Sequence, residues 1–502
     1  MYAPTEELSA IALPLLLVLL SASACGPAAE LEPLRSPLRP ERSAAELGAD
    51  LGAFVPSRLA ASGVPGVSVA VVRDREIVFA EGFGVADWLS RRPVTPHTAF
   101  EVASHSKPAT AYAALTLVDA GALALDAPLA RYVDAPFLPP SEQSEAITLR
   151  HVLSHSSGLS NLGVGLLVDR RVWFPPGDRF SYSGHGYTYL GQAIEDSSRE
   201  DLARHLERSV LGPLGMTRSG YRLEGALARS MARPHLSALL LASVPLLLWG
   251  LVAIPVSGLG WLGLRLATGR APLTRTRSFA LLAGSLVLSA GAGAELLGLA
   301  VAALGFSLLA VLCGLLFLAA YAGRSLWRSR ADPGRTAPRI WLALTAAIAL
   351  ALAGLVVSRP AVPLPKREPG IVAVGGLLAT APDLARLLAE LMEPRGLSQE
   401  LGRAMRSRQA AIDDSLSWGL GIGIQHTAEG DALWHWGLNP GFESLMVGFP
   451  DEQLGVVVLT NGGPSLAGLE LSREIAHRAI GGEHGGYWTA VPGTGLPAEP
   501  RN

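Results

Sequence analysis

Cysteine is nearly missing from this chain. Of its 502 residues only Cys25 and Cys313 are cysteines, one at the end of an N-terminal apolar run and the other inside a second apolar run. Two cysteines are too few for a disulfide framework or for a zinc site built from cysteine ligands. The fold must therefore be stable without covalent cross-links.

Charge is also scarce. Charged residues make up 17% of the chain, and 41 basic against 43 acidic side chains leave a formal net charge of −2. A nearly neutral chain has no overall field that would attract nucleic acid, so we exclude nucleic acid as a partner. The hydrophobic share is 49% and the mean hydropathy is +0.33. These values exclude intrinsic disorder and predict that part of the chain lies in a membrane.

Lysine is almost absent. Lys107 and Lys366 are the two lysines of the chain, and every other basic side chain apart from histidine is arginine. Arginine keeps its charge at any relevant pH, whereas lysine can lose its proton and act as a base. Lys107 follows Ser104 in an S-x-x-K pattern, whose spacing places the hydroxyl and the amine one turn apart on the same helix face. The pair therefore predicts a nucleophile with a neighbouring base.

The N-terminus reads as an export signal. Residues 9–24 are apolar and end in Ala22-Ser23-Ala24 before Cys25, which has the form of a secretory cleavage site. Cys25 could instead be the lipidated residue of a lipoprotein signal, and the acidic residues before the apolar core leave an uncleaved anchor as a further alternative. Residues 26–45, rich in proline, alanine and glutamate, are interpreted as a linker.

A second apolar region interrupts the middle of the chain between 236 and 358. It holds four nearly uncharged runs, each about as long as a helix that crosses a bilayer, at 236–259, 279–297, 300–321 and 340–357. The arginine-rich connections 265–277 and 322–339 fall on one face of a four-span insert, and the positive-inside rule makes that face cytoplasmic. Both flanking parts are then outside the cell. The alternative is a set of buried helices in a large globular core.

The flanking parts alternate between strand and helix patterns. Val67–Val72 and Ile77–Val85 are predicted as strands, and helical spacing runs from about Ser104 to Gly121. After the insert we predict a helix over Ala381–Met392, a final helix near 465–479, and four strands: Trp418–Gln425, Ala432–Trp436, Ser444–Phe449 and Leu454–Thr460.

The motifs around Ser104 and Lys107 resemble those of the serine β-lactamase and D-alanyl-D-alanine carboxypeptidase family, in its class C-related branch. Further segments match in order: Leu125-Asp126-Ala127-Pro128-Leu129, Ile147 to Leu159, Phe180-Ser181-Tyr182-Ser183, Gly375-Gly376-Leu377 with Asp383-Leu384, and His435-Trp436-Gly437. The resemblance covers about 50–232 and 365–480. It implies an α/β (α+β) fold, an antiparallel sheet with a helical subdomain, here interrupted by an all-α membrane insert.

The residue patterns and the resemblance together divide the chain into segments. They are a signal or anchor at 1–25, a linker at 26–45, a hydrolase domain in two parts at 46–235 and 359–485, a transmembrane insert at 236–358, and a tail at 486–502. Residues from both hydrolase parts contribute to one site. The two parts must therefore meet on one side of the membrane, which requires an even number of spans.

The family mechanism gives roles to individual residues. Ser104 would be the acyl-accepting nucleophile, Lys107 the base that takes its proton, and Tyr182 a second proton relay. The backbone N–H groups of Ser104 and Leu438, just after Gly437, would stabilise the oxyanion. Burial would lower the pKa of Lys107 toward neutrality. The resemblance implies no cofactor and no metal.

Two departures from the family pattern concern substrate binding. The usual Tyr-x-Asn is Tyr182-Ser183-Gly184 here, and the usual Lys-Thr-Gly is His435-Trp436-Gly437. The first change removes an amide that contacts the substrate, and the second removes a cation and a hydroxyl that bind its carboxylate. We therefore expect an exported, multi-pass membrane enzyme that cleaves an ester or amide, with its catalytic domain outside the cytoplasm, rather than a true β-lactamase.

Other interpretations stay open. The domain could be a sensor that is acylated or merely docks a ligand and signals through the insert. A transporter with a vestigial outer domain is disfavoured because Glu295 is almost the only ionisable residue in the spans. His151 and His155 are four apart and could face one way like zinc ligands, but no third ligand accompanies them.

Overall fold

The computed structural model describes residues 33–161, 171–237, 361–363, 371–463, 466–485 and 487. The chain divides into two compact units, Met1–His235 with Pro363–Asn502, and Leu236–Val362. The predicted signal at 1–25 lies outside the described residues, and so do nearly all of the predicted spans and the C-terminal tail. In the described part, no helix combines the length and the apolar character needed to cross a bilayer.

The first unit is built on one antiparallel sheet. Its nine strands run in the order β4-β3-β2-β14-β13-β12-β11-β10-β9. Their bounds are β2 Gly66–Arg73, β3 Glu76–Asp87, β4 Arg92–Pro93, β9 Ala410–Ala411, β10 Leu416–Trp418, β11 Gly423–Thr427, β12 Gly430–Asn439, β13 Phe442–Phe449 and β14 Leu454–Thr460. The junction of β2 and β14, with Val67 opposite Thr460, joins the part of the chain before the insert to the part after it. The predicted assembly of one sheet from both ends of the chain is confirmed.

Among the described residues, six short strands lie outside or beside this sheet. They are β1 Leu34–Ser36, β5 Phe100–Glu101, β6 His235–Ser237, β7 Ala361–Pro363, β8 Leu378–Ala379 and β15 Gly482–His484, and they pair as β1-β15, β5-β8 and β6-β7. The β6-β7 pair is a notable one, because it lies where the chain leaves for the predicted insert and where it returns. Departure and return are therefore neighbours in space.

Helices cover both faces of the sheet. In chain order the α-helices are α1 Ala44–Ser62, α2 Ser106–Asp119, α3 Glu142–Glu145, α4 Leu149–Leu153, α5 Gly184–Ser198, α6 Leu202–Leu206, α7 Gly225–Ser230, α8 Val372–Gly375, α9 Ala381–Met392, α10 Gln399–Met405 and α11 Ala467–Ile480. Helices α1 and α11 contact one face, and α9 contacts the other.

Alternation along the strands explains why both faces are covered. In β2, Ala70 and Val72 belong to one hydrophobic core while Val69 and Val71 belong to the other. Successive strand side chains point to opposite faces, so a strand that is apolar throughout needs a partner layer on each side. The helical subdomain, with α2, α4 and α5, packs into the core that holds Ala70, and the candidate site lies where these helices meet the sheet.

Local sequence fixes the ends of several elements as predicted. Helix α9 has the predicted bounds Ala381–Met392, because the Thr380 side chain accepts a hydrogen bond from the Asp383 N–H and caps the first turn. Strand β14 also has its predicted bounds. The prediction of one strand over Trp418–Gln425 was wrong: the segment is β10 and β11 with a turn between them. Gly421 in that turn has a φ of 97°, which favours glycine.

Candidate active site

The predicted nucleophile and base are in contact. The Lys107 Nζ lies 3.0 Å from the Ser104 Oγ. Ser104 sits in a 3-10 turn, Ala103–His105, and Lys107 lies in the first turn of α2, so the S-x-x-K spacing brings them together one turn apart. The Val374 carbonyl in α8 accepts a hydrogen bond from Nζ at 3.1 Å and fixes the amine from the other side.

Burial changes the protonation of Lys107. Its side chain is 1% exposed and lies between α8 and the ring of Tyr182, whose centroid is 4.9 Å from Nζ. Burial disfavours the charged amine and lowers the pKa of Lys107 to about 7. A substantial fraction of the side chain is therefore a neutral amine at neutral pH and can accept the Ser104 proton.

The turn that carries Ser104 is fixed by its neighbours. Ala103 has a φ of 50°, a conformation that non-glycine residues seldom adopt. The buried Ser106 hydroxyl donates to the Ala103 carbonyl at 2.8 Å and accepts from the Leu377 N–H at 2.9 Å. Ser106 is thus a structural hydroxyl, whereas Ser104 remains partly exposed. Of the two serines in the motif, Ser104 is the one that a substrate can reach.

Tyr182 lies beside Lys107, as the family resemblance implies. Its hydroxyl is buried and makes no hydrogen bond within the part of the chain that the structure describes. Burial raises the pKa of Tyr182 well above its ordinary value, and the nearby Ser104 hydroxyl offsets this in part. A phenol in this environment stays neutral, so it can pass a proton on but does not serve as a phenolate base.

His155 holds the Tyr182 segment in place. Its backbone carbonyl accepts from the Ser181 N–H at 2.7 Å, and its Nδ1 accepts from the Ser183 N–H at 3.0 Å. The rings of His155 and Tyr182 are 4.2 Å apart. Sequence reasoning did not assign His155 this role, although it lies in the matched segment Ile147 to Leu159, which was the available signal.

His151 and His155, whose spacing could have placed them on one helix face, do not share one. Helix α4 ends at Leu153, and His155 adopts a φ of 55°. His151 turns away and its Nδ1 accepts from the Thr148 N–H at 3.2 Å. Across the described ranges, no group of histidine, cysteine and acidic side chains is arranged to hold a metal ion.

Strand β12 forms the opposite wall of the site. The His435 Nδ1 donates to the Trp436 carbonyl at 2.7 Å, which leaves Nε2 as an acceptor, and that nitrogen has no partner among the described residues. His435 is completely buried, and burial, with smaller effects of His105 and Lys107, holds its pKa well below the usual range. His435 is therefore uncharged at neutral pH.

Gly437 and Leu438 lie where this strand approaches the nucleophile. Strand β12 pairs with β11 as far as Trp434 and with β13 as far as Asn439, so beyond Trp434 only one edge has a strand partner. The other edge faces the turn that carries Ser104. A side chain at Gly437 would collide with the Val102 carbonyl and with Ser444, which explains why this position is glycine.

Gly184 is the predicted site residue whose described contact is with a neighbouring loop and not with the nucleophile or its base. It begins α5, two residues after Tyr182, and its N–H donates to the Asn161 Oδ1 at 3.0 Å. The structure thus puts Ser104, Lys107, Tyr182 and His435 around one site, while the backbone of Gly184 binds a neighbouring loop. Its predicted contact with substrate stays a prediction.

An aromatic cluster that sequence reasoning missed surrounds the site. Trp418 in β10 contacts the rings of His155, Tyr182 and His435, with centroids 5.0, 5.8 and 5.4 Å away. The ring of His105, the residue after the nucleophile, lies 5.5 Å from that of His435. Burial lowers the pKa of His105 to about 3, so it too is neutral. The described rings around Lys107 are therefore aromatic and uncharged.

Comparison with known proteins identifies the family of the chain. The profile of the family described as Beta-lactamase matches residues 51–278 and 303–479. The esterase EstB of Burkholderia gladioli is 32% identical over 223 residues, which is 39% of this chain and 55% of EstB. Protein flp of Staphylococcus aureus is 25% identical over 175 residues, 32% of this chain and 35% of flp. The chain thus spans about half of EstB and about a third of flp.

Solved structures share the fold. The octameric penicillin-binding protein homologue from Pyrococcus abyssi superposes with a TM-score of 0.53 at 22% identity, covering 84% of this chain and 76% of that one. The D-amino acid amidase from Ochrobactrum anthropi also gives 0.53, at 17% identity, covering 86% of this chain and 97% of the amidase. At these identities the likeness concerns the fold alone.

Proposed function

The chain belongs to the Beta-lactamase family, and on that basis we propose that it is a serine hydrolase that cleaves an ester or amide through an acyl-enzyme. The observation that carries the proposal is the Lys107 amine, which lies 3.0 Å from the Ser104 hydroxyl and has its pKa lowered to about 7. A serine is a weak nucleophile unless a base removes its proton, and a neutral buried amine in contact supplies that base.

Acylation follows from this contact. Lys107 takes the Ser104 proton as the Oγ attacks the substrate carbonyl carbon, and the carbonyl oxygen becomes an oxyanion. The backbone N–H groups of Ser104 and Leu438 would stabilise that charge. Collapse of the intermediate breaks the bond to the leaving group, which receives a proton from Lys107 by way of the neutral Tyr182 hydroxyl. The acyl group is then bound to Ser104.

Deacylation repeats these steps with water. The amine of Lys107, again neutral, accepts a proton from water through Tyr182, and the water oxygen attacks the acyl carbon. The Ser104 Oγ leaves with a proton returned from Lys107, and a carboxylic acid departs. One lysine therefore serves as base and acid in both halves of the reaction.

The charge of the strand wall favours an ester or a neutral amide over a β-lactam. A β-lactam carries a carboxylate that needs a cation, and the buried His435 is neutral where many family members have lysine. Trp436 replaces the hydroxyl at the next position. EstB is named an esterase, which supports this choice of substrate class.

A burst experiment tests the proposal against the sensor interpretation. Purified full-length protein is mixed with p-nitrophenyl acetate, and p-nitrophenol release is followed in time. An enzyme gives a continuing release beyond one equivalent. A sensor that is only acylated releases one equivalent of p-nitrophenol and then stops. If Ser104 is not reactive, the wild-type protein releases no more p-nitrophenol than the Ser104→Ala variant.

We also propose that the enzyme is exported and anchored in the cell membrane through residues 236–358, with the catalytic unit outside. The support is the four apolar runs with their arginine-rich connections, together with the pairing of β6 and β7, since an even number of spans returns the chain to the side that it left. In a background without native cysteines, Gln143→Cys and Arg408→Cys should react with an impermeant thiol reagent in intact cells. Thr268→Cys should react only after permeabilisation.

A further inference from the structure

The turn between β3 and β4 exposes an apolar side chain. Leu89 is 64% exposed, and in the described residues Ile371 is the only other large apolar side chain that is similarly exposed. Trp88, next to Leu89, is half-buried, and the Arg91 guanidinium lies 4.6 Å from its ring centroid. We call residues 88–91 the hairpin tip. A leucine, a tryptophan and an arginine at one tip are typical of segments that contact the surface of a bilayer.

The hairpin tip is bound to the segment that leads into the predicted insert. The Trp88 N–H donates to the His235 Nε2 at 3.2 Å. Arg92, just after the tip, donates to the Met231 carbonyl at 2.6 Å, and Asp87, just before it, pairs with Arg233 at 3.0 Å. The tip is therefore held at a fixed place beside His235, where strand β6 begins.

His235 is close in sequence to the first apolar run. That run begins at about residue 236 and continues to 259 without a charged side chain. A helix rises about 1.5 Å per residue, so the first residues of a span remain near the membrane surface. If the run spans the bilayer, a tip that contacts His235 lies at the level of the lipid headgroups.

The sheet places the tip at one end and offers a control at the other. Gly66 pairs with Gly84, and Asn439 with Phe442, so the tip shares its end of the sheet with the β12-β13 turn. His235 also contacts this end, through the Gly441 carbonyl. The turn between β11 and β12, which contains the exposed Glu429, lies at the opposite end of the same strands.

We propose that the hairpin tip docks into the headgroup region of the bilayer, with Leu89 and Trp88 in the apolar boundary and Arg91 beside the lipid phosphates. This rests on the proposed membrane anchoring. The bilayer is the occupant because the chain enters its apolar run within a few residues of the group that holds the tip. Docking would fix the orientation of the catalytic unit relative to the membrane surface.

Site-directed fluorescence tests the docking. Full-length protein carrying Cys25→Ala and Cys313→Ala is reconstituted into phosphatidylcholine vesicles, with Leu89→Cys or Glu429→Cys labelled by the environment-sensitive dye NBD. The label at residue 89 should show blue-shifted emission and be quenched several-fold more by headgroup-level spin-labelled lipid than the label at residue 429. Normal turnover of p-nitrophenyl acetate by both proteins verifies the fold.

The outcomes separate the two proposals. Equal quenching at both positions, in vesicles that retain the protein after alkaline carbonate extraction, overturns the docking and leaves the anchoring intact. Release of the protein by carbonate contradicts the anchoring itself, and the docking falls with it.

Discussion

The site has a helix wall, which carries Ser104, Ser106 and Lys107, and a strand wall, which carries His435 and Trp436. The two walls differ in how their polar groups are hydrogen-bonded. On the helix wall, the Ser106 hydroxyl and the Lys107 amine bind backbone carbonyls, and Lys107 also binds Ser104. On the strand wall, His435 Nε2 and Trp436 Nε1 are buried without a partner in the described ranges. The same is true of the Tyr182 hydroxyl between the walls and of both ring nitrogens of His105 beside the nucleophile, so the contrast concerns the reacting groups Ser104 and Lys107.

This difference separates reaction from recognition. A nucleophile and its base must keep one geometry, and the helix wall fixes them by contacts within a few residues and with α8. Buried polar groups without partners are costly, so those at the site are candidates for contact with a ligand. In the described part of the strand wall, Trp436 Nε1 is such a donor and His435 Nε2 such an acceptor, and neither side chain is charged.

The largest expected effect is on the helix wall, at Ser104. Ser104→Ala removes the attacking oxygen, so hydrolysis of p-nitrophenyl acetate should fall by about 10⁴-fold, and labelling by a fluorophosphonate probe should disappear. Ser106→Ala is the matched control. It should keep its labelling and lose about 1–3 kcal/mol of stability, because the Leu377 N–H loses its acceptor. Labelling that survives in Ser104→Ala would place the nucleophile elsewhere.

The base on the same wall gives the next effect. Lys107→Arg keeps the charge but supplies no neutral amine, so the acylation rate should fall by at least about 10²-fold in stopped-flow measurements. Lys366→Arg, which changes the other lysine of the chain, should leave the rate unchanged. A nearly normal rate in Lys107→Arg would show that another group takes the proton.

Substrate preference sharpens the comparison on the strand wall. A charged hydrogen bond contributes about 2 kcal/mol, so a site whose His435 is neutral should bind the transition state of a carboxylate-bearing β-lactam less well by about 30-fold. We expect kcat/KM for a short-chain p-nitrophenyl ester to exceed that for nitrocefin by at least this factor. Efficient turnover of nitrocefin would refute our interpretation of His435 and Trp436.

The pH profile separates Lys107 from the neutral histidines. Its pKa is lowered from 10.5 to about 7, and the reactive form is the deprotonated one. The kcat/KM should therefore be flat above pH 7 and fall about tenfold per pH unit below it. Burial lowers the pKa of His105 to about 3. A fall of kcat/KM that begins near pH 3 rather than pH 7 would therefore implicate an imidazole. A limb near 10 would show that the amine is not desolvated.

The smallest effect is expected at His155, which positions Tyr182 without touching substrate. His155→Asn should be mild, about a few-fold in kcat, since asparagine tolerates a positive φ and its side-chain oxygen can accept from the Ser183 N–H. His155→Phe leaves that buried N–H without an acceptor and should cost about 1–3 kcal/mol of stability. Measurements of thermal unfolding and of kcat on both variants distinguish His155→Asn from His155→Phe. Equal behaviour of the two variants would rule out the positioning role.

The sequence predicted what depends on neighbours along the chain. Ser104 and Lys107 are three residues apart, and the capping of α9 by Thr380 is equally local. The valine-rich β14 could be read from composition. Tyr182 and His435 were assigned only through the family resemblance, because no pattern within either segment shows that they meet.

Long-range packing accounts for what was missed. The break between β10 and β11 depends on Gly421, which approaches Ala111 in α2 too closely for a side chain. The roles of His105 and His155 depend on which elements fold against them. Each of these contacts joins segments far apart in the chain, and hydropathy periodicity carries no information about such contacts.

The pairing of β6 and β7 brings residues 237 and 361 close together, so the chain could be joined there without residues 238–360. Strands β6 and β7 are each three residues long, and neighbouring strands in a sheet lie about 4.8 Å apart. A linker of about six residues could therefore join residue 237 to residue 361, whether the two strands run parallel or antiparallel. No strand of the main sheet would be interrupted. A variant in which such a linker replaces 238–360 would show whether the first unit folds alone, and, if the proposed anchor lies in that segment, would yield the unit without it.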